Sequence, residues 1–348
     1  MRNTFGQIAL LGSGEVSVDG GRLFETLCQN LPRPVHIALL ETPAGFELNS
    51  PQVVWRVGEF LKTRLQNFNP IVEVVPARKR ETPFSPDEPN ILQPLLRANI
   101  IFMGPGSPTY AVRQLTGSLA WDLVKACHRQ GTALAFTSAA TIAVGEYTLP
   151  VYEIYKVGEE VHVGPGLGLF ADFGLSLSFI PHWNNTDGGA DVDTSRCFVG
   201  QERFTQWCDM LPPGHTIIGL DEHTGLIIDF EAGICTVNGV SSVTLMRECE
   251  PKIYPTGSVF PVEELGKVHY PDPFEDGIPG ATWGMVNNAR QTQSREEAPI
   301  EVLRLAEERQ QARLRRDWEA ADILRQQIAV LGWTIQDTPE GQKIVRQS

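Results

Sequence analysis

The first 145 residues alternate short apolar runs with longer amphipathic ones. Ile8-Ala-Leu-Leu11, His36-Ile-Ala-Leu-Leu40, Ile71-Val-Glu-Val-Val75, Ala98-Asn-Ile-Ile-Phe-Met103 and Ala133-Leu-Ala-Phe136 have the length and character of buried strands. Between them, residues 21–30, 52–66, 110–115 and 119–129 carry helical patterns. Such alternation predicts an α/β fold with a doubly wound, mostly parallel sheet. Gly, Ser and Pro punctuation falls after the strands, at the carboxyl ends where these sheets bind ligands.

Past Gly145 the pattern shortens. Leu175 to Ile180 predicts a strand running into Pro181-His-Trp-Asn-Asn185, and 197–210 a helix. Residues 215–220, 224–229, 234–237 and 242–247 read as short strands, with Asn238-Gly239 as a hairpin turn. Residues 267–298, rich in Pro, Gly, Asp, Asn and Gln, read as a linker. Pro299–Arg316 and Trp318–Leu331 then form a helical pair, followed by a short strand, Trp333-Thr-Ile335. Trp318, Ile323, Leu324, Ile328 and Leu331 are expected to pack on Leu303, Leu305 and Leu314, with Trp333 closing the end. The division expected is an α/β domain over 1–266, a linker over 267–298 and a small helical module over 299–348.

Charge and cysteine usage narrow the class. The 348 residues carry a net charge of -13, which argues against a general nucleic-acid or membrane-surface binder. Residues 301–348 hold as many basic as acidic side chains, so the acidity lies upstream. Six cysteines with no CxxC lack metal-site spacing and suit free thiols in a reducing compartment. Met1-Arg-Asn-Thr-Phe-Gly carries no signal-peptide pattern, and no apolar run approaches the roughly 18 residues of a membrane span. A cytoplasmic protein without a membrane partner is expected; a homodimer stays open.

The candidate chemistry centres on Gly131-Thr-Ala-Leu-Ala-Phe-Thr-Ser138-Ala-Ala-Thr-Ile-Ala-Val-Gly145. A serine between small residues on a strand-to-helix turn suits a nucleophile elbow, although a plain tight βα turn has the same pattern. The N–H of Ala139 and the helix start could stabilise an oxyanion. Of seven histidines, His182 alone directly follows an apolar strand, as a general base should. Glu153 could orient it, with Glu146, Asp221 and Glu222 as rivals. Gly12-Ser-Gly14 lacks the third glycine of a dinucleotide fingerprint.

Met103-Gly-Pro-Gly-Ser-Pro108, Thr137-Ser138-Ala139, Pro181-His182 and Gly219-Leu-Asp-Glu222, in this order, resemble the peptidase S51 family of dipeptidase E and cyanophycinase. Gly257-Ser-Val-Phe-Pro-Val-Glu-Glu-Leu-Gly266 is similar to the segment that closes such domains. The resemblance implies a class I glutamine amidotransferase-like, flavodoxin-like fold and a serine peptidase acting on a peptide or isopeptide substrate. It implies Ser138 as nucleophile, His182 as base, Glu153 by spacing as orienting acid, and Gly106 with Ala139 as oxyanion hole. Ser107, Arg196 and Arg203 become candidate substrate contacts, the arginines for a carboxylate. No metal or organic cofactor is implied, and serine in place of cysteine argues against a glutamine amidotransferase. Phe136 and Ala140 stand where the family has glycine, which leaves a catalytically silent binding protein as the alternative. Asp317-Trp-Glu-Ala-Ala-Asp-Ile-Leu-Arg325 and Leu331-Gly-Trp-Thr-Ile-Gln-Asp-Thr-Pro-Glu-Gly341 resemble the extreme C-terminus of cysteinyl-tRNA synthetases. That second resemblance implies a module for a protein or tRNA partner.

Overall fold

Five parallel strands form where the apolar runs lie: β1 (Ile8–Leu11), β2 (His36–Leu40), β3 (Ile71–Val75), β4 (Ile100–Met103) and β5 (Ala133–Thr137). They stand side by side in the order β1-β5-β4-β2-β3. Every residue of β1, β4 and β5 is buried, which is why these strands read as unbroken apolar runs. The structure is a computed structural model and describes residues 5–247, 250–272, 277–296, 298–338 and 341–346.

The helices of this half are α1 (Val18–Cys28), α2 (Ser50–Arg64), α3 (Gln93–Arg97), α4 (Pro108–Leu115), α5 (Leu119–His128) and α6 (Ala139–Ala143). Ser17, Ser107 and Ser118 start α1, α4 and α5, each side chain accepting the N–H three residues on.

After a two-residue pair, β6 (Tyr147–Thr148) with β7 (Gly164–Pro165), the chain builds β8 (Leu177–Ile180), α7 (Gly200–Cys208), β9 (Thr216–Leu220) and β10 (Thr224–Asp229). It continues through β11 (Ile234–Gly239), β12 (Ser242–Arg247), β13 (Glu250–Pro255) and β14 (Val259–Pro261). Strands β10, β11 and β14 extend the first sheet beside β1 as antiparallel neighbours, giving eight strands. A second sheet has the order β13-β12-β9-β8, with β8 and β9 parallel. Asn238-Gly239 is therefore not a hairpin turn. Strand β11 pairs with β10 and β14, β12 with β9 and β13, and the chain changes sheet between them. Gly239, at φ 129°, lies where a Cβ would stand 2.3 Å from the His223 carbonyl oxygen. Helix α7 begins later than its apolar pattern because Arg196, Cys197 and Phe198 hold φ of 57°, 61° and 69°. Three left-handed residues in a row cannot continue a right-handed helix.

Two compact units result, Met1–Val286 and Asn287–Ser348. The linker expectation fails over part of its length: α8 (Gly280–Glu296) lies inside it, and Trp283 and Val286 are buried. The second unit contains α9 (Ile300–Leu314), α10 (Trp318–Val330) and a hairpin, β15 (Trp333–Thr338) with β16 (Gly341–Arg346). Its core is Val302, Leu305, Ala306, Ile328, Trp333 and Ile335. Leu303, Leu314, Trp318, Ile323 and Leu331 remain exposed, contrary to the helix-pair expectation. The hairpin and a buried Arg309, bidentate to Asp337 at 3.0 and 2.9 Å, complete the packing instead.

Candidate active site

Ser138 is the hinge between β5 and α6, at φ 49° and ψ -115°. A non-glycine residue holds such angles only where its surroundings impose them. Leu11 supplies part of that constraint: its carbonyl, at the end of β1, accepts the Ser138 N–H at 3.4 Å and the Thr141 hydroxyl at 3.1 Å. Phe136 is buried within β5 and Ala140 within α6.

His182 and Glu222 come from the other sheet. They follow the parallel neighbours β8 and β9, whereas Ser138 follows β5 of the first sheet. Ser138 Oγ lies 3.1 Å from His182 Nε2, and His182 Nδ1 lies 3.1 Å from Glu222 Oε1. Asn185 Nδ2 donates to the same carboxylate oxygen at 2.9 Å, and the Glu222 N–H donates to Asn184 Oδ1 at 2.8 Å. Burial pushes the Glu222 carboxyl up, but hydrogen bonds from Asn185 and His182 outweigh it and leave the group below its ordinary range.

The imidazole is fixed through its neighbours. His182 itself has φ 50°, and its carbonyl accepts the N–H of Asn185 and of Cys197. The left-handed turn 196–198 places the Phe198 ring 5.3 Å from the imidazole. Trp183 packs edge-on against Phe204 and lies so close over β9 that a Cβ on Gly219 would stand 2.3 Å from its ring. Only glycine allows that approach. A cluster including Ile142, Ile180, Trp183, Cys197, Phe204 and Trp207 joins α6, β8 and α7 beneath the site.

The other candidates divide. Glu153 is not on the imidazole; it starts a short π-helical turn, and its Oε2 is buried without a hydrogen-bond partner. Nδ1 faces the end of β9, where its partner is Glu222, a rival in the sequence. Glu146 accepts instead from Ser176, near His215, and Asp221 is tied to Ser241 and Ser242. Ala139 N–H is the first amide of α6, and Gly106 follows β4, the strand beside β5. Gly106 has φ 144°, and a Cβ there would meet the Pro43 carbonyl at 2.0 Å. Ser107 Oγ caps α4 by accepting the Tyr110 N–H, which gives it a structural task. Arg196 lies 3.9 Å over the Trp183 ring and donates Nη1 to the Trp183 carbonyl at 2.9 Å. Arg203 is exposed on α7 and makes no hydrogen bond to these residues. Asn185 was not singled out from sequence; its place in Pro181-His-Trp-Asn-Asn185 was the available signal. Among the described residues no cluster of His, Cys, Asp and Glu could hold a metal ion.

No family model matches the chain. A crystal structure of a peptidase from an acI-B1 Actinobacterium superposes with a TM-score of 0.59 at 19% identity, covering 74% of this chain and 98% of that one. That likeness shows a common fold. The cysteine–tRNA ligase of Methanosarcina mazei is 53% identical over 49 residues, 14% of this chain and 10% of that protein. The Chlamydia abortus cysteine–tRNA ligase is 50% identical over 48 residues, again 14% and 10%. The chain thus spans about a tenth of the length of the curated relatives it matches. It combines the fold of a peptidase of known structure with a short segment similar to cysteine–tRNA ligases.

Proposed function

We propose that the chain is a serine-type hydrolase of peptide or isopeptide amides, with Ser138, His182 and Glu222 as its catalytic residues. The observation that carries this reading is the continuous contact from Ser138 Oγ through both imidazole nitrogens to Glu222, built on a strained serine. An ionised Glu222 holds the proton on Nδ1 and leaves Nε2 free to take the serine proton. Ser138 Oγ then attacks the carbonyl carbon, and His182 returns the proton to the departing amine. The Ala139 and Gly106 N–H groups are the donors for the oxyanion. Water, activated by His182 in the same way, releases the acyl group. Glu222 replaces Glu153 in this scheme.

A fluorophosphonate probe tests the reading, because it labels a serine only when a base activates it. Labelling of the wild type and its loss in Ser138→Ala and His182→Ala are expected. An unlabelled wild type would leave a binding protein on the same fold.

A further inference from the structure

Two loops beyond the triad hold a charged pair that the proposed chemistry does not use. Glu41 follows β2, and its side chain is fully buried. Its Oε1 accepts from Ser50 and, at 2.8 Å, from Arg78 Nε, while Oε2 has no partner. A buried carboxylate with one oxygen unsatisfied is costly, and it needs a task.

The geometry around Arg78 supplies one. A pair that served only neutralisation would close as a two-pronged fork, with two guanidinium nitrogens on two oxygens. Here Nε alone is engaged. Among the described residues neither terminal nitrogen makes a hydrogen bond, and the side chain is 26% exposed. The guanidinium lies 4.5 Å over the Phe84 ring, the Arg78 carbonyl accepts the Tyr110 hydroxyl at 2.9 Å, and a Cβ on Gly45 would stand 2.8 Å from Arg78 Cα. The arginine is thus held from three sides with its planar end left over.

The loops that carry this pair lie at the same edge of the sheet as Ser138. Residues 41–45 follow β2, and 78 follows β3, at the same carboxyl ends that carry Gly106 and Ser138. The Pro43 carbonyl accepts the Ser107 N–H at 2.9 Å, so the Glu41 loop is bonded to the proposed oxyanion loop. Arg78 follows β3, three places from β5, but its Nε reaches back to Glu41 after β2, two places from β5, a separation of roughly 10 Å, or about three residues of extended peptide.

We propose that Arg78 binds a carboxylate of the substrate about three residues from the bond attacked by Ser138, and that Glu41 is its positioning residue. This rests on the Ser138 site being a peptide site, and the test separates the two. Ser138→Ala protein is titrated by calorimetry with four trialanine peptides that differ only at their ends, acetyl or succinyl at one and amide or free acid at the other. A carboxylate-bearing peptide should bind about 30-fold more tightly than the neutral one, the worth of a charge-assisted pair. The end that carries it tells which way the substrate runs. Adding Arg78→Gln should erase that gap while leaving the neutral peptide's affinity unchanged, and Arg78→Lys should retain only part of it. Glu41→Gln should narrow the gap too, which a merely structural carboxylate would not do. The double variant Glu41→Gln/Arg78→Gln leaves no lone buried charge and serves if Arg78→Gln alone fails to fold. Equal binding of all four peptides, or a gap that survives Arg78→Gln, overturns the proposal. Fluorophosphonate labelling of the chain with Ser138 intact reports on the hydrolase reading separately: an unlabelled protein with an Arg78-dependent gap keeps the carboxylate site and loses the reaction.

Discussion

At Ser138 a left-handed backbone and a hydrogen-bonded hydroxyl coincide, and the two can be tested apart. Ser138→Gly removes both the hydroxyl and the Cβ that resists φ 49°. It should abolish labelling and hydrolysis while stabilising the fold by about 1 kcal/mol, read as a higher unfolding midpoint. Ser138→Ala should abolish activity with little change in midpoint, since it keeps the Cβ. If Ser138→Gly melts lower than Ser138→Ala, the strain argument fails. Glu222 and Glu153 can be separated in the same way. Glu222→Gln should lower kcat/KM at least 100-fold by disturbing the imidazole tautomer, whereas Glu153→Gln should change it less than about threefold. The opposite ranking would return the orienting role to Glu153.

At the scale of elements, the site depends on how closely β9, the loop after β8 and α7 approach one another. Gly219→Ala places a methyl where the Trp183 ring already lies, on a strand that cannot yield. A loss of about 2 kcal/mol is expected, with a fall in the rate of probe labelling because His182 precedes the displaced ring. A fully active, equally stable Gly219→Ala variant would show that Trp183 does not position the base. The spans of β1, β2 and β3 follow directly from their apolar runs. The late start of α7 was hidden, because no sequence pattern marks three left-handed non-glycine residues.

For the whole molecule, acid sensitivity has an identifiable source in the first unit. Burial pushes the His128 imidazole down to about 4, while Nε2 stays bonded to the Gly6 carbonyl at 2.8 Å. The unfolded chain therefore takes up this proton first as pH falls below about 6.5. Stability should be fully present above that pH and decline by on the order of 3 kcal/mol down to pH 4. Urea unfolding at pH 7, 5.5 and 4.5 would show the decline, and His128→Gln should flatten it; an unchanged slope would rule the residue out. Within the second unit Asp337 is held below its ordinary range chiefly by Arg309. Its contribution is present above the unfolded carboxylate's range and is lost as pH falls through the lowered value. Deleting residues 299–348 should leave probe labelling and kcat/KM within about twofold, because no residue of the proposed site lies there. Loss of activity from a folded truncated chain would place part of the site in the tail.

The centre of the parallel sheet was legible in the chain, because β1, β4 and β5 are buried along their whole length and must be apolar throughout, whereas β3 lies at the edge with Ile71 and Val74 exposed. The sequence by itself also marked Ser138 and His182, whose place after a strand is a local property. Tertiary structure decided the rest. Which carboxylate meets Nδ1 depends on β8 and β9 lying side by side in a second sheet, with His182 and Glu222 40 positions apart in the chain. Strand partners across such a gap leave no local periodicity. Asn238-Gly239 has the composition of a hairpin, yet its flanking strands enter different sheets, because pairing is decided by the burial of both layers and not by the turn. The exposed Trp318 and Leu314 make the same point: a helical pattern names residues that can be buried, and only a packed partner such as β15 selects the ones that are.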